Sequence, residues 1–64
     1  MKIFVEKEDK TIEKSFAGKG SALLKEMEIS PENVLIVKNG VVVSEDEHLD
    51  DTDKITLLSV VSGG

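Results

Sequence analysis

The residues of this sequence best placed to do chemistry are its last ones, Val60-Val61-Ser62-Gly63-Gly64. Two terminal glycines bury no side chain, and they lose the most backbone freedom when ordered. Such an end is either idle, as many chain ends are, or the working part of the molecule. The chemistry it could offer is that of the terminal carboxylate on Gly64, a poor electrophile until one of its oxygens becomes a leaving group. Glycine leaves the approach to that carboxylate unobstructed and takes up whatever backbone angles a narrow channel imposes. Fully extended, Val61 to Gly64 would reach roughly 13 Å from a folded body. With glycine at about 7% of residues, a chance pair at the end is uncommon.

Other candidates for chemistry are weaker. The one histidine, His48, sits among Glu45, Asp46, Glu47, Asp50, Asp51 and Asp53. A lone imidazole with scattered carboxylates and no soft partner makes a poor transition-metal site, and the segment lacks the glycine and closing glutamate of a calcium loop. A solvated histidine and no metal are therefore expected. The chain has no cysteine, so a thiol nucleophile, a thiolate metal site and a disulfide framework are excluded, and a reducing cytoplasm is the expected setting. No Ser-His-Asp arrangement, phosphate loop or catalytic carboxylate pair can be made out. The protein is not expected to be an enzyme.

Charge narrows the partners. There are eight lysines, no arginine and thirteen acids, a net charge of −5. Nucleic-acid binding needs a basic face, and two aromatics, Phe4 and Phe16, are few for stacking on bases; no nucleic-acid partner is expected. Six of the acids fall within residues 45–53, leaving a nearly neutral remainder, so one region holds the negative field and a basic partner surface would feel it. No apolar run approaches the roughly 20 residues of a membrane span, and the N-terminus has no signal pattern. A protein without a membrane partner is expected.

The elements that must position the end are legible in part. A chain of this length predicts a single domain over 1–64, with 61–64 as a flexible C-terminal tail. Residues 1–6 alternate as a strand with Met1, Ile3 and Val5 on one side and Lys2, Phe4 and Glu6 on the other. After a turn over 7–10, residues 11–16 read as its hairpin partner. Gly18 and Gly20 break that strand, and Ser21 is expected to cap a helix with Leu23, Leu24 and Met27 on one stripe. Ser30-Pro31 marks a turn with a short helical piece. Residues 34–43 form a hairpin about Asn39-Gly40, both of which tolerate positive φ. An acidic loop follows with Leu49 tucked inward, then a last strand over 54–61 with Ile55 and Leu57 on one face and Leu58 and Val60 on the other. The order strand, strand, helix, strand, strand, strand predicts an α+β roll: a mixed sheet of four to five strands, one helix across one face, and the last strand beside the first.

The opening Met-Lys-Ile-Phe-Val-Glu, the hairpin-helix-hairpin order, residues 29–40 (ISPENVLIVKNG) and the ending LLSVVSGG together resemble the ubiquitin-like β-grasp sulfur carriers, the ThiS/MoaD family, and the related small archaeal modifier proteins. The likeness spans essentially the whole chain, and the terminal Gly-Gly is its specific part. Asp51-Thr52-Asp53 departs from the family's usual Asp-Gly-Asp, which puts the local turn geometry in question. The resemblance implies that an E1-like partner adenylates the carboxylate of Gly64, with Gly63 as its companion, using ATP that this chain does not itself bind. It also implies a sulfur donor and a sulfur-accepting synthase as partners, in thiamine, molybdopterin or thiolated-tRNA synthesis, or else the lysines of target proteins. The lengths of family members favour thiamine-type carriers and small modifiers.

Leu58 and Val60, with Phe4 from the neighbouring strand, are expected to leave apolar surface beside the tail. By resemblance this surface docks the activating enzyme, Val61 and Ser62 continue it into the tail, and the acidic loop complements it electrostatically. A third reading, a binding domain that works through its surface alone, stays open beside carrier and modifier.

Overall fold

The computed structural model describes residues 1–60. The main sheet has five strands: β1 (Lys2–Val5), β2 (Lys10–Glu13), β4 (Val34–Lys38), β5 (Val41–Val43) and β7 (Lys54–Ser59), in the spatial order β2-β1-β7-β4-β5. A second, two-stranded sheet joins β3 (Gly18–Lys19) to β6 (His48–Leu49), and one helix, α1 (Gly20–Glu26), follows β3 directly. β1 and β7 run parallel, with Phe4 opposite Thr56 and Val5 opposite Leu57. The other neighbours are antiparallel. This mixed sheet with one helix packed across it is the β-grasp arrangement.

Alternation decides which residues build the core. Ile3 and Val5 of β1, Ile36 of β4, and Ile55 and Leu57 of β7 point to the helix side, where they meet Leu23, Leu24 and Leu49 in one buried cluster. Each such side chain, moved out of water, contributes about 1.5–3 kcal/mol. Leu49, anchored from the middle of the acidic segment, is fully buried, as its isolated apolar character among acids predicts.

The turns follow local chemistry. Asn39 and Gly40 both have positive φ, 50° and 86°, and close a two-residue hairpin between β4 and β5. Pro31 opens a short 3-10 turn, Pro31–Asn33. Thr52 sits in a turn closed by the Asp53 N–H donating to the Asp50 carbonyl at 2.9 Å. It is absent from the positive-φ residues, so this turn does not need the glycine that the family usually places there.

Three expectations are corrected. The second strand covers Lys10–Glu13 and does not run on to Phe16, because the Phe16 N–H turns away to donate to Asp51 Oδ1 at 2.9 Å. Ser21 does not cap α1: the N-cap is Lys19, with no side-chain bond, and Ser21 lies in the first turn. The free amides of that turn are satisfied by the acidic segment's backbone, with Gly20 N–H donating to the Glu47 carbonyl at 3.0 Å and Ser21 N–H to that of Glu45 at 2.7 Å. Gly20 permits this approach, since a Cβ there would stand 3.2 Å from the Glu45 carbonyl oxygen. The last strand ends at Ser59 rather than running to Val61, which lies outside the described residues.

Candidate functional site

The candidate reacting group, the carboxylate of Gly64, and with it Gly63, Ser62 and Val61, lies outside the described residues. What the structure does describe is the root from which they leave. β7 is the central strand of the five, paired on both sides. After β1 has ended at Val5, β7 continues against the other neighbour, with Ser59 opposite Val34. Val60 N–H then donates to the carbonyl of Asn33 at 2.8 Å. The last described residue is thus held by the backbone of the Pro31–Asn33 turn. Beside it an open groove is lined by Val5, Ile29, Val34, Leu57 and Val60, with Lys7 and Glu8 at its rim.

Strand alternation places Phe4 and Leu58 on the sheet face away from the helix, and Val60 follows one residue beyond the end of β7. Phe4 and Leu58 are half-buried and Val60 is 40% exposed. Three residues that sequence reading did not assign belong to the same face: Leu35, 46% exposed and opposite Leu58; Val37, opposite Thr56; and Val42, 59% exposed and opposite Val37. One row therefore crosses all five strands as Thr11, Phe4, Thr56, Val37 and Val42. The signal for the missed residues was present: four consecutive apolar residues, Val34 to Val37, mark a strand apolar on both faces, and only one face can meet the helix. The face is graded. Lys2, Glu13 and Lys54 occupy its far end, while Leu35, Leu58 and Val60 lie toward the tail root.

The acidic segment is on the other side. Its backbone crosses the N-terminal end of α1, and Lys38 Nζ ties it down by donating to the His48 carbonyl at 2.9 Å and to Glu47 Oε2 at 3.3 Å. Asp51 Oδ1 accepts from Phe16 N–H and from the α-ammonium of Met1 at 3.1 Å. Those two donors, the backbone one first, hold its carboxyl below the ordinary value. Asp53 is lowered by the Asp50 N–H and then by the Asn39 amide. His48 is exposed, with Nε2 2.9 Å from Asp50 Oδ1. Among the described residues no three His, Cys, Asp or Glu side chains gather to hold a metal, and no helix is long and apolar enough to cross a membrane.

Compared with family models, residues 2–64 match that of the ThiS family. The chain belongs to the ThiS family. The match covers both the β-grasp body and the Gly-Gly end, and with it comes the general role of a ubiquitin-like sulfur carrier, a small carrier protein rather than an enzyme. A search of the curated proteins gives no significant match. In this ThiS-family chain the apolar face and the tail root are adjacent parts of one surface.

Proposed function

We propose that this protein carries sulfur as a thiocarboxylate on Gly64, formed after an E1-like partner adenylates the terminal carboxylate. In the first step a Gly64 carboxylate oxygen attacks the α-phosphorus of ATP, and pyrophosphate leaves. In the second, a sulfide-level sulfur nucleophile attacks the carbonyl carbon. A C–S bond forms, the C–O bond to AMP breaks, and AMP takes the electron pair. The folded body acts as the handle, and the tail delivers the reagent.

The observation that supports this reading is a large apolar face graded toward Val60, the last described residue, from which the sequence goes on to Gly63-Gly64. An exposed apolar patch with a charged border marks a partner surface. Phe4, Leu35, Val37, Leu58 and Val60 would dock the activating partner, with Val61 and Ser62 carrying the chain into its nucleotide site. That site must exclude water from the acyl-adenylate, and glycine fits a narrow entrance. A ubiquitin-like modifier joined through Gly64 to target lysines is the second reading. It shares the adenylation step and differs in the acceptor, a lysine amine in place of sulfur.

The test is mass spectrometry of the tagged protein recovered from its own cells. Replacement of one oxygen by sulfur at Gly64 on the free chain is the expected result. Gly64 joined to lysines of other proteins would support the modifier instead. Neither product, with ATP and the activating partner present, would leave the surface-only binding domain. Leu58→Asp should keep the fold, because Leu58 points away from the core, and should reduce adenylation about tenfold or more.

A further inference from the structure

Asn39-Gly40 serves the fold as a turn and has no part in the proposed tail chemistry. It is also a pair in which an asparagine side chain is open to attack by its own backbone, because glycine has no Cβ to screen the nitrogen that follows. The structure leaves that nitrogen accessible. Both residues are exposed, a Cβ at Gly40 would meet nothing within 4 Å, and no backbone carbonyl among the described residues takes the Gly40 N–H. The Asn39 side chain, by contrast, is held. Its Nδ2 donates to Asp53 Oδ1 at 2.9 Å and its Oδ1 accepts from Lys54 N–H at 3.0 Å. The residue's own N–H donates to the Lys54 carbonyl at 2.8 Å. All three partners belong to residues 53 and 54, at the start of β7, and none to the turn.

We propose that Asn39 is a modification site, one of spontaneous deamidation, which the folded chain holds shut through Asp53 and Lys54. Ring closure requires Cγ of Asn39 to swing back over its own backbone to the Gly40 nitrogen. Oδ1 and Nδ2 are both carried on Cγ, so the side chain cannot make that movement while the two are bonded to residues 53 and 54. In the opened turn the Gly40 nitrogen, its proton lost to hydroxide, attacks Cγ. The N–Cγ bond forms, the Cγ–Nδ2 bond breaks, and the amide nitrogen leaves as ammonia with a proton from water. Water then adds to one carbonyl of the cyclic imide and breaks that carbonyl's bond to the ring nitrogen. The product is aspartate at 39, or isoaspartate, in which the main chain runs through Cβ and Cγ. The net change is one water taken up and one ammonia released.

Either product undoes what holds the turn. The amide that donates to Asp53 is replaced by a carboxylate, so two negative groups face each other where a hydrogen bond stood. Isoaspartate also adds a methylene to a turn for which the Lys38–Val41 pairing leaves two residues, and the β4–β5 register is lost with it. Val37 and Val42 stand on the two strands that this turn joins, so the change reaches the outer apolar face. The reaction is a one-way clock on the hairpin, its rate set by how often the turn opens. It does not depend on what the tail does.

The chain carries its own control. It has two asparagines and no glutamine, and the other asparagine, Asn33, precedes Val34, whose branched side chain crowds the nitrogen. The full chain is incubated at neutral pH in native buffer and in denaturing urea. Asn39 and Asn33 are followed by peptide mass spectrometry, with aspartate and isoaspartate separated by chromatography. Asn39 is expected to convert in urea while Asn33 stays intact, and to convert about tenfold or more slowly in the native chain. Asp53→Ala, checked for folding by circular dichroism, should speed the native reaction about threefold or more. If that variant is unfolded, the parent chain in rising sub-denaturing urea takes its place, and the rate should climb as the turn opens. An Asn39 that survives in denaturing urea overturns the proposal. So does a native rate equal to the rate in urea, a folded Asp53→Ala that reacts no faster than the parent, or a rate that stays flat in sub-denaturing urea.

Discussion

Asn39 is the residue at which local conformation and long-range contact coincide. Its positive φ suits the turn, its amide Nδ2 donates to Asp53 Oδ1 at 2.9 Å, and its Oδ1 accepts from Lys54 N–H at 3.0 Å. Asn39→Gly keeps the backbone freedom and loses the two side-chain bonds, so urea unfolding should show a loss of about 1–2 kcal/mol. Asn39→Asp keeps the shape and sets a second carboxylate against Asp53; it should be the less stable of the two at pH 7 and recover on acidification. Asp51 and Asp53 contribute to the acid response of the fold. Both folded-state values are depressed, so the stability they contribute is present above the unfolded value of about 3.9. It is lost as pH falls through the lower folded values. Thermal unfolding followed from pH 7 downward should show a loss of stability setting in below about pH 4, and the Asp51→Asn, Asp53→Asn double variant should show a shallower fall there. A parallel fall in both proteins would place the acid response elsewhere.

Among the elements, the segment between β5 and β7 looks most like a solvated loop and turns out to be part of the framework. Its backbone accepts from the first amides of α1, its residues 48 and 49 pair with β3, and Leu49 completes the core. Leu49→Ala should cost about 2–5 kcal/mol. A chain of this length has a total stability of roughly 3–10 kcal/mol, so that one change consumes much or all of it, and circular dichroism at 37 °C should find the variant partly unfolded. A small effect would mean that the segment is held by its hydrogen bonds and the Lys38 contacts rather than by burial. The exposed Lys10–Glu8 pair, at 3.8 Å, matters little by comparison, since surface pairs contribute about 0–1 kcal/mol.

For the whole molecule, body and tail are expected to be separable. The core is complete by Leu57, and the final described anchor is the Val60–Asn33 backbone bond. Removing Gly63 and Gly64 should leave the melting temperature within about 2 °C of the parent, because the pair contributes no buried side chain, while adenylation should fall to background. Loss of both together would show that the tail packs on the body. Unchanged biological activity with a normal melting temperature would favour a domain acting through its surface alone.

The sequence by itself determined the elements whose cause is local. Asn39-Gly40 specifies its hairpin through φ, Pro31 its short turn, and the alternation of Ile3-Phe4-Val5 and of Ile55-Leu57-Leu58 the two faces of the central strands. The whole-chain resemblance, including the Gly-Gly end, was legible for the same reason, being written in contiguous residues. Contacts between segments far apart in the chain were decided by the tertiary structure. The α1 cap looked like Ser21 because a nearby hydroxyl is the usual donor-satisfying group, yet backbone carbonyls some 25 residues on took that place. The acids read as one negative patch because residues 45–53 contain no lysine, yet Lys38 and the Met1 ammonium reach them across the fold. The extent of the apolar face was hidden as well. A run such as Val34-Leu35-Ile36-Val37 gives no alternation to read, and only its register against β7 assigns Leu35 and Val37 to the face that carries Leu58.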